Sequence, residues 1–365
     1  MPPAPFWFVE FFKVVGFVLH LIPMGLWFAG LPAAILCASA NTVNSRRFAG
    51  QMFGQLPILM ALGINFGIVP LLFLQTTYYK SFYTATILMG WHWIAVIPIL
   101  LVGYYALYIA QGVGRQESRR AGGQIFFAVL AAICFVSIGI LMTNGLTLMV
   151  RSDLWTGLME KYNVHGATLG LGNNMKDPAV WIRLTTMFSL GLMTTAVWAV
   201  LSVPFTGSGL SGNSKKDYCF WTGKLAAVLA ILSAVLLTGV ESIIKTPFAA
   251  EHIKIMYPYF GVVLLFVYGT AIFLIAANWK PVWFYAGVVS HVLTLANFGI
   301  IRQIGQNRGV AAFVDVAKLP TDVQWSPLIA FLVAFVLGLG IIAWMVKQVI
   351  FPPVNADNGR YAKVT

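Results

Sequence analysis

Long apolar runs separated by short polar breaks organise the whole chain. Nine of them approach or exceed the length a helix needs to cross a bilayer, about 20 residues. They fall near 7–38, 51–75, 83–110, 122–149, 179–204, 218–243, 255–278, 281–304 and 326–350. The pattern predicts an all-α integral membrane protein, a single polytopic domain over residues 1–365. No gap between the runs leaves room for a separate soluble domain. The longest, about 150–178, contains Gly157, Gly166, Gly170, Gly172 and Pro178 and reads as a structured loop.

Composition agrees: 59% of the 365 residues are hydrophobic and 9% are charged, against about 25% charged in soluble domains. Most of the tryptophans, Trp7, Trp155, Trp279, Trp283 and Trp325 among them, fall near run ends, as in an interfacial belt. Glycines inside the runs read as close helix packing. No internal repeat points to a transporter of two related halves.

Charge sets the expected orientation. With the N-terminus outside, the inward loops hold Arg46 and Arg47, then Arg115, Arg119 and Arg120, then Lys215 and Lys216, then Lys280. The tail adds Lys347, Arg360 and Lys363, so the C-terminus falls inside. The net charge of +12 is then an insertion signal. It is scattered over loops, so a nucleic-acid partner is not expected. The first run exceeds thirty residues and holds Glu10 and Lys13, unlike a cleavable signal peptide. Cys37, Cys134 and Cys219 fit no CxxC or CxxCH spacing, which excludes covalent haem attachment and an iron–sulfur cluster in this chain; they read as small core residues.

Five histidines remain. His20 follows Glu10 by ten residues, roughly 15 Å along a helix. The third run, entered near Phe82, puts His92 at a similar depth, and the eighth, entered after Lys280, does the same for His291. His165 and His252 fall on outward loops. Neutral imidazole is a good axial ligand for haem iron, and Phe17, Trp27, Trp91 and Trp93 could wall a flat macrocycle. The alternative is an interhelical hydrogen bond for each ring. Asn65, Asn144 and Asn297 read as bridges between helices, and Glu241 with Lys245 as a local ion pair. Arg302, at the end of the eighth run, either holds a haem propionate or snorkels to the interface.

Short motifs along nearly the whole chain then carry a resemblance. "GFVLHLIPMGLWF" (16–28) is similar to the first helix of cytochrome bd oxidase subunit I, where a histidine and a nearby proline serve the dihaem oxygen site. "FGQLPILMALGINFGI" (53–68) resembles its second helix, "SIGILMTNGL" (137–146) its fourth and "DPAVWIRLTTMFSLG" (177–191) the opening of its fifth. "VESIIKTPFAAEH" (240–252) resembles the approach to the quinol loop, and "IRQ" (301–303) the segment after the eighth helix. The resemblance implies a nine-span fold with the N-terminus outside, and an axial-ligand role for His20. It also marks departures. The low-spin haem histidine falls on Thr186 and its methionine partner near Tyr259. The quinol-loop lysine falls on Pro247, and that loop shrinks to a few residues between Glu251 and Tyr257. Beyond Gln303 the family's tryptophan and glutamate are missing, with Ile304 and Gly309 nearby, and its third-helix glutamate corresponds to His92.

Quinol entry and the low-spin haem are therefore expected to be lost. The expected function is a membrane redox subunit of a respiratory electron-transfer complex. It would bind one or two b haems, with His20 and His92 on the iron and His291 and Arg302 beside the cofactor. A second membrane subunit and a periplasmic c-type cytochrome are the expected partners, in a bacterial inner membrane. The alternative is a haemless scaffold of the same fold that anchors a redox complex. A proton path is disfavoured because mid-span carboxylates are missing.

Overall fold

The structure, a computed structural model, describes residues 4–40, 42–114, 121–203, 210, 212–246, 254, 257–277, 282–311 and 314–350. Among these, nine helices are long and apolar enough to cross a membrane, and each corresponds to one of the apolar runs. Residues 247–253, including Pro247, Glu251 and His252, and the side chain of Tyr259 lie outside the described set.

Residues 7–318 form one compact unit. Its first span is α1 (Phe6–Gly25), a π-helical turn (Leu26–Gly30) and α2 (Leu31–Ser39). Pro23 inside α1 has no N–H to offer the carbonyl of Leu19, and the irregular turn follows directly. The second span is α3 (Val43–Thr77), opened by a reciprocal Thr42–Ser45 capping box. Next come α4 (Tyr79–Leu88), α5 (Gly90–Gly114) and α6 (Ala121–Leu148). The loop after α6 holds α7 (Trp155–Lys161) and a two-stranded hairpin, β1 (Asn163–Val164) with β2 (Ala167–Thr168). Then follow α8 (Pro178–Leu201), α9 (Gly212–Lys245), α10 (Tyr257–Ala277) and α11 (Val282–Val310). A separate unit, residues 1–6 with 319–365, contributes α12 (Trp325–Ile350).

Two hydrophobic cores divide the larger unit. One gathers the π-helical turn, α2, α3, α5 and α6 around Leu26, Leu31, Met52 and Leu56. The other gathers α8 to α11 around Met193, Leu237, Val267 and Leu274. The first span belongs to both: Leu21 and Ala29 pack into the second core, Trp27 and Phe28 into the first. Gly25 and Gly191 meet at the α1–α8 crossing, where a Cβ on Gly25 would lie 3.0 Å from the Gly191 Cα.

The loop before α8 folds back on the α4–α5 break. Gly172 N–H donates to the Leu88 carbonyl (2.8 Å), and Trp91 N–H to that of Gly170 (3.0 Å). Gly170 has φ +68°, and a Cβ there would meet the Gly90 backbone at 3.1 Å, so the contact requires glycine. Arg151 bridges Asp153 and Asp177, and Asp177 caps α8 through the Ala179 N–H (2.9 Å). Hydrogen bonds to Asp153 and the charge of Asp177 raise the Arg151 pKa, so its charge persists.

Inside the second core, α8 and α9 are clasped by hydroxyls. Ser189 Oγ donates to the Ser233 carbonyl and Ser233 Oγ to that of Ser189, each at 2.7 Å. Each such bond contributes only about 0.6 kcal/mol in a membrane protein. We therefore expect Ser233→Ala to leave the thermal midpoint in detergent nearly unchanged. Ser233→Leu, placed at a fully buried position, should lower it sharply by wedging the helices apart. Equal midpoints for the two variants would contradict this packing.

Candidate functional site

A cavity of about 320 Å³ lies among α1, the π-helical turn, α3, α5, α6, α8 and α11. Its walls are apolar and aromatic, with Trp27, Phe28 and Phe135 among them, and four methionines contribute, Met24, Met60, Met142 and Met187. The charged or ionisable side chains lining it are Lys13, His20 and Arg302.

His20 is held by backbone. Its Nδ1 lies 2.7 Å from the Gly63 carbonyl oxygen, which can only accept, so Nδ1 carries the proton. Nε2 is then the nitrogen with a free lone pair. The approach depends on "GINFG" in α3: a Cβ on Gly67 would lie 2.8 Å from His20 Nδ1, and one on Gly63 would strike Trp27 at 2.2 Å. This is the small-xxx-small spacing by which membrane helices approach closely.

The other two candidate ligands stand elsewhere. The third span begins at Gly90, because the helix ends at Met89 and a new one starts. His92 therefore sits in the first turn of α5, one turn before Val96, the first α5 residue to line the cavity. Its Nδ1 is buried without a hydrogen-bond partner. His291 is 5% exposed in the α8–α11 contact, with Nε2 3.0 Å from Thr194 Oγ1. The Thr194 hydroxyl donates to the Leu190 carbonyl (2.9 Å), so His291 is the donor and Nδ1 keeps an unpartnered lone pair. The structure thus brings His20 and Arg302 to one cavity and leaves His92 and His291 out of its lining. His165 lies on the hairpin turn with φ +51°.

Arg302 corrects the expected boundary. Helix α11 continues to Val310, so Arg302 lies two turns inside it, with its guanidinium 4.1 Å above the Phe17 ring. No carboxylate pairs with Arg302 among the described residues.

Lys13 is 1% exposed and belongs to a network that ties α1, the α3–α4 junction and α11 together. It pairs with Glu10 (2.5 Å) and donates to Tyr78 Oη (2.7 Å). Gln303 Nε2 donates to Tyr78 Oη (2.7 Å) and to Asn307 Oδ1 (3.0 Å). Tyr78 donates to Asn307 Oδ1, and Asn307 Nδ2 closes the ring on Glu10 Oε2 (2.9 Å). Burial and the nearby Glu10 carboxylate hold the Tyr78 phenol above its usual pKa, so it remains a donor. Sequence reading missed this network. Its signals were the i,i+3 spacing of Glu10 and Lys13 and the i,i+4 spacing of Gln303 and Asn307.

Other polar residues are local. Glu241 and Lys245 pair at 3.0 Å as expected. Asn65 and Asn297 do not bridge helices; each donates to the carbonyl one turn earlier in its own helix, Ala61 and Leu293. Asn144 accepts from the Asn174 N–H of the loop (3.3 Å). Cys37 and Cys134 are buried, but Cys219 is exposed and is no core residue.

In shape the chain is similar to the bd oxidase of Geobacillus thermodenitrificans, with a TM-score of 0.69, 11% identity, and coverage of 96% of this chain and 98% of that one. The chain therefore has a bd-oxidase-like helical fold and is a multi-pass membrane protein. No protein-family model matches the sequence, and no curated protein matches it.

Removing one member of a buried ion pair leaves the other uncompensated, at a cost of about 3–5 kcal/mol. Lys13→Met should therefore lower the thermal midpoint in detergent strongly. Glu10→Gln with Lys13→Met should recover part of the loss, because no buried charge is then stranded. A double variant less stable than Lys13→Met alone would contradict the pairing.

Proposed function

We propose that this chain is a membrane redox subunit of a respiratory electron-transfer complex and holds a b haem in the cavity, with His20 as axial ligand. The observation that carries this reading is the His20 ring, tied at Nδ1 to the Gly63 carbonyl and free at Nε2. Ligating histidines commonly have their second nitrogen fixed this way, which sets the tautomer and aims the ring. Trp27, Phe28 and Phe135 suit the faces of a macrocycle, and Arg302 suits its carboxylate edge. A bound haem supplies one-electron chemistry. The chain's own part is to fix the imidazole, exclude water with apolar walls, and present positive charge at one end.

A single haem is favoured over a His20–His92 bis-imidazole site, since His92 does not line the cavity. Electron exchange with a periplasmic c-type cytochrome completes the proposal. So do a second membrane subunit, a bacterial inner membrane and an outward N-terminus. The second reading, a haemless scaffold, is supported by the α8–α9 hydroxyl clasp just beyond Thr186, which fills that bundle with its own side chains.

Haem content per purified chain, measured as the pyridine haemochrome, tests the proposal. His20→Ala should abolish the b-type signal, whereas His92→Ala and His291→Ala should keep it. Gly67→Ala, which pushes on the His20 ring, should weaken haem retention by about 10- to 100-fold. A signal indifferent to His20→Ala, or missing from the folded wild type, would overturn the proposal.

A further inference from the structure

Basic residues gather at the end of the bundle where α3 and α9 begin. Arg46 and Arg47 lie in the first turns of α3, Lys215 and Lys216 in the first turn of α9, and Lys224 two turns further on. Tyr218 joins the two helices. It is 0% exposed, its hydroxyl donates to Gln51 Oε1 (3.4 Å), and its ring stacks on Trp221 at 6.3 Å. Trp221 packs in turn on Phe48 of α3. The Arg47 guanidinium lies 5.5 Å from the Tyr218 ring centroid, and Lys224 Nζ 4.3 Å from that of Phe220.

Compensation for these cations is sparse. Among the described residues none of the five is in an ion pair, and the nearest carboxylate in sequence, Asp217, is exposed and unpaired. Gln51 Nε2 is a buried donor with no acceptor. Cations in the first turn of a helix also oppose its dipole, so an anion bound against them is stabilising. An insertion signal requires only basic residues in the loop. It does not require a guanidinium drawn over a ring that a second helix fixes in place.

We propose that this patch binds the phosphate headgroup of an anionic phospholipid. Two membrane-spanning helices begin here, so the patch lies where headgroups lie. Arg47 offers a planar fork suited to phosphate oxygens, and the lysines add point charges. Beyond Phe220 and Lys224 the exposed surface of α9 continues as Val228, Ile231, Leu232 and Val235, an apolar track for acyl chains. The site is independent of the haem reading.

The test uses the full chain purified in a neutral detergent, with its thermal midpoint followed against added phosphatidylglycerol, phosphatidylcholine or inorganic phosphate. Phosphatidylglycerol should raise the midpoint saturably and the other two should not. In the variant Arg47→Gln/Lys215→Gln/Lys216→Gln the apparent affinity for phosphatidylglycerol should fall on the order of a hundredfold. Should that variant fail to insert, Arg47→Gln alone, which keeps four of the cations, should still lower the affinity several-fold. Stabilisation by phosphatidylcholine to the same extent, or by inorganic phosphate, would overturn the assignment. So would an unchanged response in the inserted variants.

Discussion

The close approach of the first span to the Gly63–Gly67 face of α3 is the contact on which the site depends. A helix carbonyl is normally hidden by side chains one turn along. Here two missing Cβ atoms let Trp27 and His20 lie against the backbone, and the Gly63 carbonyl accepts a hydrogen bond from the imidazole Nδ1–H. Every further property of His20 follows: its tautomer, its fixed ring and its free Nε2. The π-helical turn after Pro23 then carries Trp27 and Phe28 into the first core and Ala29 into the second. The first span can therefore serve both bundles while offering one histidine to the cavity.

The two bundles solve the problem of buried polar groups differently. In the second, hydroxyls satisfy one another at short range: Ser189 with Ser233, Thr270 with Ser290, and Thr194 with His291. In the first, an apolar cavity is left beside Lys13 and Arg302. Lys13 is neutralised by Glu10, whereas Arg302 has an aromatic face and no carboxylate among the described residues. A buried cation without a carboxylate partner is costly in an apolar setting. An apolar cavity with a cation at its edge suits an amphipathic anion, and haem is one.

Much of the fold was legible because a bilayer imposes length and apolarity on each span. Among the described residues, the nine helices of membrane-spanning length coincide with apolar runs. Depth was less legible, because a helix break costs only a residue or two of sequence. Counting from Phe82 put His92 at mid-depth, but the break at Met89 moves it to a helix start. Counting to 304 ended the helix beside Arg302, but "IRQIGQNRGV" continues it two turns further. His291 could not be placed by depth at all, since what distinguishes it is the direction of its face toward Thr194. The Glu10–Lys13–Tyr78–Gln303–Asn307 ring was hidden for a related reason. Its members lie up to 297 residues apart, and only the folded chain brings them together.

The most direct test of the cavity's role is a density map of the purified full-length protein at side-chain resolution. The His20 geometry predicts a planar feature beside Trp27, Phe28 and Phe135, joined to His20 Nε2, with Arg302 near its anionic groups. A cavity collapsed on its own methionines, or filled by an elongated acyl chain with His20 Nε2 free, would contradict the haem-binding role.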